Sequence, residues 1–439
     1  MATEANRQTT KPVTIAIIGA GHRGRTYASY ALDCPELAKV VAVAEPSRHR
    51  RAAMASKHNV ALTMQFSNWK DMITHGKVAD CVVIAVQDQL HAAAVADCAA
   101  EGYHILCEKP MATTIAECVA MVHQIQNVPV PRVFGIGHVL RYSPYNRAIK
   151  AVIDSGALGE IINVQHIEPV GNEHFAHSYV RGSWHKESKS SFALMAKCCH
   201  DIDILSFYLS GLRPTKVQSF GSIGHFKKSR KPVAAGSAVN LLDCTYEPNC
   251  IWSAKKIYLD RLHDGGIPWA ILFVDADVLD IENVTDALQT TSYGRCVYEC
   301  DNDVVDHQVV NIEYEGGVTA SMTMSAFTES ICDRGTRIQG TKGELIGDMV
   351  TFDVFDFLTR KKTHHEPVSE GGYHGGGDTG LARAFVASVA NEDQSLLGVT
   401  PDDVLTSHLL VFAAERSRLE GRVVDFAEFR ASCEDGTTR

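Results

Sequence analysis

No apolar run in the 439 residues approaches the roughly 18 that a membrane-spanning helix needs, so no membrane partner is expected. Residues 1–11 are polar and lack the apolar core of a secretory signal. They read as a disordered tail, and the protein as cytoplasmic. The thirteen cysteines show no paired spacing and are expected as reduced thiols rather than a disulfide framework. Basic charge is not in excess. The net charge is −10, which argues against a nucleic-acid partner, because phosphate binding needs a positive surface. The short Arg48, Arg50, Arg51 cluster reads as a solvated helix start. There is no P-loop, nucleophile elbow or internal repeat. Cys198-Cys199-His200-Asp201, Cys296-x-x-x-Cys300 and the loop pair His364-His365 all fall short of zinc spacing, so no metal is expected.

What remains is an ordinary globular composition, 45% hydrophobic and 21% charged, long enough for two or three domains. Apolar runs at 13–18, 40–44, 81–86, 104–107 and 132–136 alternate with helical stretches near 23–32, 91–101 and 113–126. That alternation predicts a parallel sheet with helices on both faces over residues 12–136. Beyond residue 137 the strand candidates are longer and closer: 161–168, 238–244, 250–258, 308–314, 317–325 and 336–340. Several alternate apolar with polar, which suits a sheet with one solvated face. Helices are expected near 145–155, 192–209, 380–390 and 402–420, with a polar loop at 359–378. Residues 137–430 therefore read as an α+β domain built on a large, mostly antiparallel sheet.

Gly19-x-Gly21-x-x-Gly24 follows the first strand and opens the first helix. Gly19 allows the tight turn, Gly21 close approach of a pyrophosphate, and Gly24 close helix–strand packing. The helix start, with His22 and Arg23, offers free N–H groups and a positive dipole end to phosphates. Glu45 ends the second strand, where an acid grips the ribose hydroxyls of NAD. Its charge disfavours the 2′-phosphate of NADP, although Arg48 is near enough to accommodate one; NAD is the expected cofactor. Cys107-Glu108-Lys109-Pro110 closes another strand at the sheet's carboxyl edge, where ligands bind in open α/β folds. On position alone, Lys109 reads equally as a group holding a substrate hydroxyl or as an exposed loop charge.

In this order, Gly19–Gly24, Glu45, the turn Gln87-Asp88-Gln89-Leu90-His91 and Cys107–Pro110 resemble the Gfo/Idh/MocA family of sugar and polyol oxidoreductases. Glucose–fructose oxidoreductase and inositol dehydrogenase typify that family. The resemblance continues through Gly137-His138-Val139-Leu140-Arg141-Tyr142, Gly156-x-x-Gly159-Glu160 and Ala196-Lys197-Cys198-Cys199-His200-Asp201-Ile202-Asp203, covering about 13–425. It implies that Lys109 contacts the reacting hydroxyl and His200 exchanges a proton with it. It also implies cofactor contacts from Gln87, His91, Glu108 and Lys109 itself, and substrate contacts from Arg141 and Tyr142. One position departs from the family pattern. The usual Asp four residues before the histidine is Ala196 here, followed by Lys197, a candidate catalytic substitute. Asp203 is the better orienting partner of His200, since i+3 shares a helix face.

Residues 174–186 are rich in aromatic and hydrogen-bonding groups ahead of the histidine helix. His177, Arg181 and Trp184 are the substrate candidates there, with His307 as a further one, although packing accounts for Trp184 equally well. The expected function is a nicotinamide-dependent oxidoreductase acting on a secondary alcohol or ketone of a sugar, polyol or glycoside. The alternatives are a redox-neutral NAD-dependent glycosidase and a non-catalytic sugar- or NAD-sensing regulator. A homodimer or homotetramer is expected from the large second sheet.

Overall fold

The computed structural model describes residues 11–262, 269–274, 278–369, 371 and 373–438; most of the expected N-terminal tail lies outside them. The first third alternates strand and helix: β1 (Val13–Ile18), α1 (His22–Asp33), β2 (Ala38–Ala44), α2 (Arg48–His58), β3 (Gln65–Phe66), α3 (Trp69–Thr74), β4 (Cys81–Ile84), α4 (His91–Ala100), β5 (His104–Cys107), α5 (Ile115–Gln126) and β6 (Phe134–Ile136). All neighbours in the sheet run parallel, in the order β3-β2-β1-β4-β5-β6. The strands are short and buried on both faces, which is why they read as continuous apolar runs. Strand order reverses between β1 and β4, so a crevice opens at their carboxyl ends.

The chain continues through α6 (Pro144–Asp154), β7 (Ile161–Pro169), α7 (Asn172–Phe175), α8 (Ala193–Tyr208), β8 (Pro214–Ser222), α9 (Ile281–Thr290), β9 (His307–Tyr314), β10 (Thr319–Ser325), β11 (Gly335–Gly340), β12 (Gly343–Gly347), β13 (Phe352–Asp356) and β14 (Lys362–His365). It closes with α10 (Gly377–Asn391), α11 (Pro401–Glu420), β15 (Val424–Asp425) and α12 (Phe426–Glu434). Nine strands form the second sheet, β14-β13-β12-β11-β7-β10-β9-β8-β15, antiparallel throughout except β7 against β10. Its inner face packs on α8 and α11.

Two expected strands are absent. Residues 238–244 and 250–258 form turns and short helical segments instead, including Leu241–Asp243 and Lys255–Leu259. Their apolar side chains feed an aromatic cluster rather than a sheet: Trp252 meets Phe226 edge-on at 4.8 Å, and Tyr258 meets Phe273 at 5.0 Å. Conversely, the expected polar loop at 359–378 contains β14, which pairs with β13 and places His364 Nδ1 2.8 Å from Asp353.

Helix α8 is buried on all sides, with fourteen of its sixteen residues inside. Each charged side chain on it therefore needs a protein partner. Lys197 Nζ lies 3.1 Å from Glu168 on β7 and 3.0 Å from Cys332 Sγ. Asp201 accepts from Arg334 at 2.8 Å and contacts His166 at 3.1 Å. Asp203 accepts two bonds from Arg141, at 2.6 and 2.7 Å, and one from the Ser407 hydroxyl at 2.7 Å. Removing a buried partner leaves an uncompensated charge, so Asp203→Ala is expected to cost roughly 3–5 kcal/mol. Urea denaturation checks this; a loss below about 1 kcal/mol would contradict the assignment.

The last helices return to the first sheet. Helix α10 packs on α1, and α11 on α5 and β6. His408 Nε2 of α11 accepts the Met111 N–H at 2.9 Å, and Gln394 exchanges hydrogen bonds with the backbone of Phe134.

Candidate active site

The glycine turn lies at the β1–α1 junction. Gly19 has φ +93°, and an added Cβ would sit 2.3 Å from the Ala85 carbonyl oxygen. At Gly24 a Cβ would sit 1.9 Å from the Gly19 oxygen, whereas at Gly21 it would meet nothing within 4 Å. Two of the glycines thus close the turn sterically, and Gly21 leaves its outer face open. Gly21 caps α1 without any side-chain cap bond, so the first-turn N–H groups remain for a ligand. Glu45 is buried beside this turn, accepting the Ala20 N–H at 2.7 Å and the Ser47 N–H at 2.9 Å. Each carboxylate oxygen keeps a second acceptor site, enough for a vicinal diol. This donor and acceptor set fits an NAD adenosine half. Gly21, His22, Arg25, His49 and Arg50 line a cleft here with Ile271, Leu272 and Val274. Arg48 is exposed and outside that lining.

Lys109 lies just past β5, at the sheet's carboxyl edge. Its Nζ donates to the Ala196 carbonyl at 2.7 Å, one helical turn before His200 on α8. The side chain that would stand at 196 is only a methyl, so the lysine docks on the backbone. His200 is 3% exposed, and its Nδ1 is buried without a hydrogen-bond partner. Burial, and then the charges of Lys109, His374, His138 and Arg334, hold its imidazole well below the usual histidine range. It is therefore neutral at physiological pH and able to accept a proton.

Several sequence candidates have most of their polar atoms committed elsewhere, with Nη1 of Arg23 and of Arg181 left unpartnered. Arg23 is a strut, with Nε 2.6 Å from Glu108 and Nη2 bonded to Tyr27 at 3.0 Å and to Asp378 at 2.5 Å. The Glu108 carboxylate is thereby occupied from inside, also accepting the Tyr27 hydroxyl and the Lys109 N–H. The His91 ring braces two loop carbonyls, those of Pro110 and Val86. Arg141 is locked on Asp203, and the Tyr142 hydroxyl donates to the Leu397 carbonyl at 2.8 Å. His177 is stacked between Trp269 and Tyr293, with Nδ1 3.1 Å from the Tyr258 hydroxyl. Arg181 donates to the carbonyls of Arg295 and Trp252. Lys197 is bound into its ion pair with Glu168. His307 heads β9, half exposed, bonded to Asp306. Trp184 Nε1 donates to Asp88 at 3.0 Å, in the turn that Gln87 opens.

The histidines around His200 are not among the site residues expected from sequence. His374 lies with its ring centroid 5.5 Å from that of His200, and His138 at 6.2 Å. His138, Cys199 and His408 place ligand-type atoms within 4.8 Å of one another. Both His408 nitrogens are already used, however, by the Met111 N–H and the Val404 carbonyl, so His408 has no lone pair to spare for a metal.

These buried histidines make stability pH-dependent. Burial, reinforced by Arg181 for His177 and by His138 for His408, lowers both imidazoles to about 3. The unfolded chain binds protons first, so the stabilisation is complete above about pH 6.5 and is lost as pH falls towards 3. Each is expected to cost about 2 kcal/mol by pH 5. Thermal melts should show Tm dropping between pH 7 and 5; a flat Tm would contradict the burial of these rings in neutral form.

The family model described as an oxidoreductase family NAD-binding Rossmann fold matches residues 13–132, and the model of its C-terminal alpha/beta domain matches 150–426. The chain is similar to 2,7-anhydro-N-acetylneuraminate hydratase of Escherichia coli (strain K12), 26% identical over 215 residues, 48% of this chain and 54% of that protein. It is also similar to inositol 2-dehydrogenase 1 of Saccharopolyspora erythraea, 27% identical over 199 residues, 45% of this chain and 55% of that one. These matches span only about half of each curated relative. In fold it resembles a levoglucosan dehydrogenase solved with NADH and levoglucosan, with TM-score 0.70, 18% identity and coverage of 95% and 100%. It likewise resembles an inositol dehydrogenase homolog from Azotobacter vinelandii solved with NADH and myo-inositol, with TM-score 0.67, 16% identity and coverage of 94% and 98%. With both of its halves matched by the two family models, the chain belongs to the Gfo/Idh/MocA oxidoreductase family.

Proposed function

We propose that this protein is an NAD-dependent oxidoreductase acting on a secondary alcohol of a sugar, polyol or glycoside, with Lys109 and His200 as its catalytic groups. The observation that carries this is their juxtaposition: Lys109 docks one helical turn from His200, at the carboxyl edge of the sheet that holds the glycine turn. NAD, when bound, supplies the hydride acceptor. Lys109 keeps two N–H donors for the substrate oxygen and stabilises charge developing there. Neutral His200 takes the hydroxyl proton. Glu45 supports NAD over NADP, because its carboxylate repels a 2′-phosphate. The outward Ile167, Phe220 and Ile346 of β7, β8 and β12 are exposed and support a homo-oligomer through the outer sheet face.

A redox-neutral reading has one specific support, the similarity to a protein named as a hydratase. A panel of sugars, polyols and glycosides with NAD and NADP separates the two. NADH formation on a free sugar supports the main reading. Aglycone release or water addition with no net NADH supports the second. No reaction with any member, despite NAD binding, would favour a sensor.

A further inference from the structure

The family's carboxylate is missing at Ala196, and the structure brings another acid–base group beside His200, one helical turn further on. His374, Gly375 and Gly376 have φ of +54°, +61° and +90°. A non-glycine residue in this left-handed region costs about 1 kcal/mol or more and persists only where its surroundings hold it. The hold is visible. A Cβ on Gly377 would lie 2.3 Å from the Val139 oxygen, and one on Gly380 2.4 Å from the Tyr142 oxygen. The loop is thus pressed against the turn that follows His138, and this aims His374 at His200.

His374 Nδ1 lies 3.1 Å from Asp378 Oδ2, one turn along α10, and Asp378 Oδ1 is held by Arg23 at 2.5 Å. With Nδ1–H donating to the carboxylate, Nε2 is left as the acceptor, the orientation a base needs. The groups facing His374 are Asp378, His200, Arg23, His22 and Arg334; those facing His200 are Lys109, His138, His374 and Arg334. Burial lowers His374 and Asp378 opposes the fall. The Asp378 carboxyl is itself pushed up by burial, but the hydrogen bond from His374 and the Arg23 charge bring it to about 2, so it is ionised throughout the working range. The two rings differ in exposure: His200 is buried, whereas the His374 side chain is partly exposed. His374 is therefore the ring nearer to water.

We propose that His374, oriented by Asp378, is the second proton-transfer group of this site, standing in for the carboxylate absent at Ala196. The proposal rests on the reading of Lys109 and His200 as catalytic groups. The proton taken by His200 from the substrate hydroxyl passes to His374 and on to solvent, and it returns by the same route in reduction. Asp378 stabilises the transient imidazolium of His374.

The test compares wild type, H374Q, H374A and D378N, each loaded with NAD. H374Q is expected to lower kcat about 10²-fold, leave the NADH Kd within threefold by fluorescence titration, and lose the limb of the pH profile that His374 controls. Added imidazole should restore H374A at least tenfold, and D378N should shift the same limb. An unchanged pH profile, or absence of imidazole rescue, would overturn the proposal. A substrate-free arm follows the histidine ring signals by NMR over pH 4–8. The His200 signal should report the titration of His374 in wild type and cease to do so in H374Q. Independent titration of the two rings would overturn the dyad. If no substrate turns over but the rings remain coupled, the functional reading fails and the dyad stands.

Discussion

Replacing Lys109 by methionine is expected to cut kcat by about 10³-fold or more while leaving NAD affinity within threefold. Methionine keeps most of the apolar stem but removes the bond to the Ala196 carbonyl and every donor aimed at the substrate oxygen. In most settings a loop lysine contributes little. Here the ammonium is half-buried, has one fixed backbone partner and sits beside a neutral imidazole. Its cation both stabilises developing alkoxide charge and keeps His200 from taking up a proton before substrate arrives. Stopped-flow kinetics with a competent substrate, alongside NADH fluorescence titration, measures both quantities. A kcat within tenfold of wild type would remove Lys109 from the chemistry. A parallel loss of NADH binding would recast it as a cofactor ligand.

Gly24→Val is expected to be severely damaging, costing more than about 4 kcal/mol. The clash is with backbone: the new Cβ would meet the Gly19 oxygen at 1.9 Å and the Ile17 side chain at 3.3 Å. Neither can yield without displacing β1 from α1. Gly21→Ala is the informative partner, because its Cβ meets nothing within 4 Å and its backbone, φ −68°, suits alanine. That variant should fold with unchanged Tm yet bind NAD about tenfold more weakly, the methyl standing where the phosphates approach. If both variants lose Tm, the open face at Gly21 is structural; if neither loses NAD binding, the glycine turn is not the phosphate cradle.

Local signals made the first sheet legible. Short two-face-buried strands, such as β4 and the β1 that Gly19 ends, have few competing interpretations. Strand β8 went unseen because one inward residue is Ser219, whose N–H and hydroxyl find partners at Ser417 and Val309; a satisfied polar group breaks the alternation. Residues 238–258 misled for the opposite reason, since their apolar side chains serve an aromatic cluster rather than a pleat. At the site, Gly19, Glu45, Lys109 and His200 lie within motifs and were legible. His374 was not. Its flanking glycines suit a ligand-facing loop and a plain surface turn equally, and His200, which it faces, is far away in sequence. Arg141 and Arg181 show the converse: a conspicuous arginine marks a need for partners without saying whether the partner is a ligand or the protein.

The return of α10 and α11 to the first sheet bears on how the polypeptide is made. Arg23 waits for Asp378, Met111 for His408, and Phe134 for Gln394. At ribosomal speeds those partners emerge on the order of tens of seconds after the N-terminal strands. Until then the outer faces of α1 and α5 and the backbone at β6 stand bare, and the closing contacts carry a large loop entropy. Nascent chains are therefore expected to expose these faces during that interval, and lesions in α10 or α11 should reduce the yield of soluble protein in cells before they alter the melting of the molecules that do mature.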